Sequence, residues 1–305
     1  MRTFQAFAPL ALASLLSLAV HAAHAQGVDT LAKIKESGVI TMGVREAGGV
    51  LSYSPAVGEY VGYHIDICRR IVANVEAAVG RKVEIRYQQV TALNRSPLVA
   101  NGTVHIECGV TTNNLSRQAS VAFANTTYLE TIRMLVKTNS GIQSVADLAG
   151  KVVATTNGST SVQLLRKNKR ATDIQFNETF CKDHADCFLL VQSGRADAFV
   201  LDNGILAMLR ARARNPGDFK IVGEPLSVEP IAIMLPKGDA PFKKLADDTI
   251  AQLARSGELN KLYDKWFLQP TPPANVVLDL PMSAEMKALI AQPNDKPVEE
   301  YAQDR

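Results

Sequence analysis

Gly158-Ser159-Thr160-Ser161 stands before a helical run at residues 162–167, and a loop of that kind can hold an anion. Its backbone amides and hydroxyls gather at the positive end of the helix, where negative charge is stabilised. The other chemistry open to it is local: Ser159 or Ser161 can serve as the N-cap, and both roles can hold together. Asp202 raises the same pair of readings. It follows an apolar run at 196–201 and precedes a helical pattern at 203–213, so its carboxylate either caps that helix or meets a cation.

Cys181 and Cys187 are separated by Lys-Asp-His-Ala-Asp, close enough to staple a short loop that carries His184. Cys68 lies in a helical pattern and Cys108 ends a strand-like run, and they either pair with each other or remain two buried thiols. An even number of cysteines suits an oxidising compartment, and four allow more than one connectivity. There is no CxxC, and only His64, His105 and His184 follow residue 25, so no metal site is expected. A Ser-His-Asp elbow, a Walker loop and a GxGxxG are also absent, which removes the common hydrolase and nucleotide signatures and implies no cofactor.

The N-terminus sets the compartment. Arg2 is the only charged residue before Asp29, and residues 7–20 form a nearly unbroken apolar run. That run is shorter than the roughly 20 residues of a membrane span. Ala23-His24-Ala25 then supplies the small-x-small pattern of a signal peptidase site, with Gln26 next. Residues 1–25 are therefore expected to be a cleaved secretory signal peptide rather than a membrane anchor, leaving a soluble periplasmic protein. The formal net charge is +3, and falls to +2 without Arg2. So near-neutral a chain, with its cations dispersed, argues against a nucleic-acid partner.

Short β-rich runs alternate with helical patterns along the rest. Residues 39–44, 82–90 and 104–110 read as strands, and 30–37, 65–79 and 96–101 as helices. A second series starts with a short helix at 144–148, followed by strands at 151–155, 174–176, 196–201 and 219–222. Helices at 162–167, 186–193 and 203–213 lie between them. A strand at 231–235 and helices at 241–256 and 259–267 complete the order, before a Pro-rich tail with a helical pattern at 283–291 and a charged end expected to fray. Strands alternating with helices predict an α/β fold with mainly parallel sheets. Extended stretches at 131–137 and 230–235 flank the middle series and read as paired crossovers. The expected division is lobe 1 at 26–133, lobe 2 at 134–230, a return to lobe 1 at 231–275, and a tail at 276–305.

The chain resembles the extracellular solute-binding proteins of polar amino-acid ABC transporters. The likeness runs from about residue 29 to 295 and is carried most by Ile106-Glu107-Cys108-Gly109-Val110-Thr111-Thr112-Asn113-Asn114-Leu115-Ser116-Arg117-Gln118. Gly62-Tyr63-His64-Ile65-Asp66, Leu148-Ala149-Gly150-Lys151 and Gly194-Arg195-Ala196-Asp197-Ala198 add to it. Val44-Arg45-Glu46, Asn94-Arg95, Thr111-Thr112-Asn113-Asn114 and Lys182-Asp183-His184 are similar to the glutamate/aspartate-binding branch. The resemblance implies a two-lobed, type II Venus-flytrap fold with two crossover strands that closes over its ligand. It also implies a monomer that delivers to an inner-membrane ABC permease.

On that resemblance Arg117 would clamp the α-carboxylate of an amino acid with its planar fork, and Thr112 would add a hydroxyl. Asp202 would take the α-ammonium, with the Val110 carbonyl beside it, and Ser159, Thr160 and Ser161 would line the anion end. Arg45, Arg95 and His184 would hold a second carboxylate, which makes the expected ligand glutamate or aspartate. The branch usually carries small hydroxyl residues where this chain has Ala92 and Val110, so one wall of the pocket is expected to be drier. Two other readings share the fold. A periplasmic dehydratase of a cyclic amino-acid precursor would need an acid or base, for which His184 or Glu229 are candidates. A sensory ligand-presenter would use the same pocket.

Overall fold

The computed structural model describes residues 28–301. The expected signal peptide and its cleavage site lie outside those residues. No helix among the described residues is long and apolar enough to cross a membrane.

Two sheets organise the molecule. The first has the strand order Glu84–Gln89, Val39–Val44, Ile106–Glu107, Met234–Pro236, Val121–Phe123. Its first three strands run parallel, and Met234–Pro236 enters antiparallel after the chain has left and come back. The second has the order Phe219–Val222, Tyr128–Lys137, Ala198–Asp202, Val152–Thr156, Asn177–Cys181. Tyr128–Lys137 is antiparallel to both neighbours, and the other pairings are parallel.

The packing explains the helices. Tyr63–Val79 buries Ile67, Cys68, Ile71, Val72, Val75 and Val79, a stripe at three- and four-residue spacing. It stops at Gly80, whose φ of 74° is the left-handed conformation that glycine adopts without strain. Glu258–Phe267 likewise buries Leu259, Leu262, Tyr263, Trp266 and Phe267. Its aromatic residues stack beneath the first crossover strand, with Tyr263 and Tyr128 ring centroids 4.2 and 4.9 Å from that of Phe267.

The crossovers lie slightly earlier than the sequence pattern places them. Val228–Ile231 pairs antiparallel with residues 128–131, with Val228 opposite Thr131, Glu229 opposite Glu130 and Ile231 opposite Tyr128. From Ile132 onward the first strand already belongs to the second sheet, paired with Asp202 through Ala198. The two stretches look equally extended in sequence, and only their partners separate hinge from sheet.

The strand expected at 174–176 lies instead at Asn177–Cys181. Ile174 and Phe176 are apolar because they pack into the second sheet's core from the connection that follows Asp173. The true strand is a sheet edge whose mostly polar residues are only partly covered. The C-terminal end does not fray within the described residues. Ala284–Ala291 is helical with Ser283 as its cap, and Val298 N donates to the Asn113 carbonyl at 2.9 Å. Asn113 Nδ2 in turn donates to the Asp295 carbonyl at 2.8 Å.

Candidate functional site

Arg45 leaves the end of strand Val39–Val44 and is fully buried. Its Nη2 donates across the cleft to His184 Nε2 at 3.1 Å and to Asp183 Oδ1 at 3.3 Å. A guanidinium only donates, so His184 Nε2 must accept, and the ring proton sits on Nδ1, 2.9 Å from Thr156 Oγ1. Burial and the charges of Arg45 and Arg95 hold His184 well below its ordinary pKa, and the ring stays neutral. Asp183 caps the helix His184–Gln192, and a Cys181–Cys187 disulfide closes the turn that presents His184. A second disulfide joins Cys68 of the long helix to Cys108. Arg45 Nε and Nη1 are buried with no protein partner.

Arg95 opens the short helix Arg95–Ala100 and is also buried. Its Nη1 donates to the Val110 carbonyl, while its Nε has no partner. Burial, then Arg117, pull its pKa down to about 9, while Glu107 pulls the other way. It remains a cation at neutral pH. Glu107 lies beneath, with Oε2 accepting from Thr111 Oγ1 at 2.8 Å and Oε1 unpartnered. Burial raises its pKa, and the nearby guanidiniums oppose that. A Cβ at Gly109 would press on the Glu107 carboxylate, which would have to shift to admit it.

Arg117 is half-buried on Leu115–Gln118. It is not a free surface charge: Nη1 donates to the Thr112 carbonyl at 2.8 Å, and Nη2 crosses to the Gly158 carbonyl at 3.1 Å. Thr112 and Thr160 both donate to Glu229 Oε2, at 2.6 and 2.7 Å.

The serines do not cap the helix Thr160–Thr172. Ser159 stands at the N-cap position but makes no cap hydrogen bond, and its hydroxyl donates back to the Thr156 carbonyl at 2.8 Å. Ser161 Oγ is buried without a partner. Gly158, at φ +80°, lies against the backbone of Ala92, where a Cβ would come within 2.7 Å of the carbonyl.

Asp202 occupies the N-cap position of Asn203–Ala211, yet its carboxylate makes no cap hydrogen bond. Glu130, from the first crossover strand, accepts from Gly204 N at 3.1 Å instead. That substitution leaves Asp202 to face the cleft. Burial and the neighbouring Glu229 push its pKa up to about 7, against the pull of Arg95, Arg117 and Arg45. Every contact between Arg45 and residues 183–184, and between Arg117 and Gly158, spans the two halves, so this is the closed form of the cleft.

Residues 40–269 match the family described as bacterial extracellular solute-binding proteins, family 3. The chain belongs to that family. It is 43% identical over 288 residues to the glutamate/aspartate import solute-binding protein of Escherichia coli (strain K12), covering 94% of this chain and 95% of that protein. The same identity, over 290 residues and the same shares, holds for the L-glutamate/L-aspartate-binding protein of Pseudomonas aeruginosa. Among solved structures, an ancestral arginine-binding protein bound to glutamine is similar at a TM-score of 0.68 and 26% identity, over 75% of this chain and 98% of that one. A cysteine-binding protein from Campylobacter jejuni is similar at 0.67 and 25%, over 78% and 93%. The family fold is the two-lobed α/β trap, and the matched relatives are transporter binding proteins rather than enzymes.

Within this solute-binding architecture the structure links Arg45 to His184, Arg95 to the Val110 carbonyl, Arg117 to the Thr112 carbonyl, and Thr112 and Thr160 to Glu229, with Asp202 within electrostatic reach of all three arginines. Four residues that shape the cleft carried no role in the leading sequence reading: Glu107, Glu130, Thr156 and Glu229. The signal for Glu107 was present, because an acid between Ile106 and Cys108 in an apolar strand is a buried charge that needs a reason. His64 lies outside the cleft, holding the Gly109 carbonyl and Thr127 Oγ1 at 2.6 and 2.7 Å, and burial lowers its pKa to about 4.

Proposed function

We propose that this chain is the periplasmic, non-catalytic binding component of an ABC importer for acidic amino acids, glutamate or aspartate. The observation that carries it is the pair of buried guanidiniums, Arg45 and Arg95, with N–H groups that no protein atom accepts. Buried cations are tolerated when paired, and a second carboxylate lying between them and neutral His184 supplies the missing acceptors. Arg117 then clamps the α-carboxylate beside the backbone amides of the 159–161 turn, while Asp202 and the Val110 carbonyl meet the ammonium. The names of the relatives at 43% identity favour the same ligand class.

We take lobe 1 as the described residues up to 127 together with 232–275 and lobe 2 as residues 132–227, with 128–131 and 228–231 as the crossovers between them and the tail beginning at 276. The protein works as an exported monomer with an inner-membrane permease. N-terminal sequencing of exported protein should start at or next to Gln26; a start at Met1 removes the signal peptide from this account. An enzymatic role for Glu229 is disfavoured because three hydroxyls already occupy its carboxylate. The deciding experiment is mass spectrometry of the ligand released when freshly purified protein is denatured. Recovery of glutamine, lysine or histidine in place of an acidic amino acid refutes the assignment.

A further inference from the structure

Glu229 sits within the second crossover strand, directly opposite Glu130 on the first, and is buried. Its carboxylate is held by hydroxyls. Ser227 Oγ donates to Oε1 at 3.1 Å, and Thr112 Oγ1 and Thr160 Oγ1 donate to Oε2 at 2.6 and 2.7 Å. The last two are in the short range of charge-assisted bonds. Thr112 moves with the crossover, because it bridges Ile231 and its neighbour Asn113 N donates to the Pro230 carbonyl at 2.8 Å. Thr160 opens the helix Thr160–Thr172, which packs on the second sheet. One carboxylate oxygen is therefore gripped from both sides of the cleft, and the two threonines cannot both keep their bonds to it once the lobes separate. Thr112 is tied to the crossover, which leaves the Thr160 bond to give way.

The bonding also fixes polarity. A carboxylate only accepts, and a hydroxyl has a single proton. Both threonine protons point at Glu229, so each threonine turns only lone pairs toward the cleft. Such oxygens receive hydrogen bonds from an ammonium and repel a carboxylate.

We propose that Glu229 is a positioning residue that latches the closed cleft through Thr160 and presents Thr112 and Thr160 as acceptors, without touching the ligand. This deepens the amino-acid reading of the site and rests on it. It moves Thr112 from the α-carboxylate end toward the ammonium. A latch of this kind biases the open–closed equilibrium equally for every ligand, because it stabilises the closed state whatever the cleft holds. A ligand contact would instead act unequally on different ligands.

The test uses the full mature protein and the variants Glu229→Gln, Glu229→Ala and Thr160→Val. Probes at exposed Val57 and Leu189 report the lobe-to-lobe distance, and calorimetry reports affinity for glutamate, aspartate, glutamine and asparagine. In Glu229→Gln the ligand-free distance distribution should shift toward open, and all measurable affinities should fall by one common factor of about tenfold. The acid-to-amide ratio should stay within about twofold of wild type, and on the Glu229→Gln background Thr160→Val should leave the ligand-free distances unchanged. Unchanged distances and affinities in the Glu229 variants overturn the latch. So does a changed acid-to-amide ratio at unchanged distances, which would make Glu229 a ligand contact. If wild type binds none of the four ligands, the amino-acid reading fails, and the ligand-free distances alone decide the latch. Should the Glu229 variants not fold, Thr160→Val keeps the carboxylate, and a Thr160→Val protein as closed as wild type overturns the proposal.

Discussion

Arg45, from the end of a strand in one lobe, donates to Nε2 of His184, the first residue of a helix in the other, at 3.1 Å. The pair lies 139 residues apart in sequence and is brought together by the fold. Two Arg45 nitrogens and one Arg95 nitrogen are left buried and unpartnered.

An amide ligand offers NH2 to these donors and leaves buried groups unpaired, at roughly 1–3 kcal/mol per group. Glutamate or aspartate should bind at least about tenfold tighter than glutamine or asparagine. Arg45→Ala and Arg95→Ala should shrink that ratio more than they weaken capture of the shared amino-acid group. A calorimetric panel across the four ligands measures both, and an unchanged ratio would remove the two arginines from side-chain recognition.

Arg117→Ala should cost binding of every amino acid. It removes the fork for the α-carboxylate and the bond to Gly158 that spans the closed cleft. Breaking a buried pair typically costs about 3–5 kcal/mol, several hundredfold or more in affinity. A loss below about tenfold in titration would mean that Arg117 serves the closed conformation alone.

Reduction of Cys181–Cys187, or the double Ser variant, should weaken acidic ligands while barely changing the melting temperature. The disulfide closes a short loop, which adds little global stability, yet it anchors both sides of His184. Thr156 links the two features, since its hydroxyl lies 2.9 Å from His184 Nδ1 and 3.9 Å from Cys187 Sγ. Equal affinities with and without the disulfide would show that the helix cap alone positions His184.

Asp202 predicts the pH dependence. Its pKa in the ligand-free cleft is about 7, raised from 3.8, and an ammonium beside it lowers that value. Binding therefore expels a proton below pH 7, and affinity should fall as the solution is acidified, by up to about tenfold per unit. Without ligand the sign reverses. Between pH 3.8 and about 7 the folded protein keeps a proton that the unfolded chain releases, so this group's stabilising contribution declines as pH rises. Asp202→Asn should bind weakly and lose both trends, as titration and thermal melts from pH 5 to 8 would show.

Periodicity alone located most helices and the central strands, because a buried stripe at helical spacing, as in Tyr63–Val79, is a local pattern. The ten candidate ligand residues came from short motifs whose residue types suit an amino acid with two carboxylates and one ammonium. The edge strand Asn177–Cys181 was not, since an element covered on little of its surface carries no apolar alternation. Asp202 could not be separated from an N-cap by any local rule, and its freedom depends on Glu130 reaching Gly204 from a strand 74 residues away. The same holds for Glu229, whose partners Thr112 and Thr160 lie 117 and 69 residues distant. Sequence by itself determined the secondary elements, the export signal's pattern and the chemical types of the cleft. Which acid reaches the start of the Asn203–Ala211 helix and which is held by two threonines was decided by tertiary structure, because a carboxylate's role depends on the donors that folding brings within hydrogen-bonding reach.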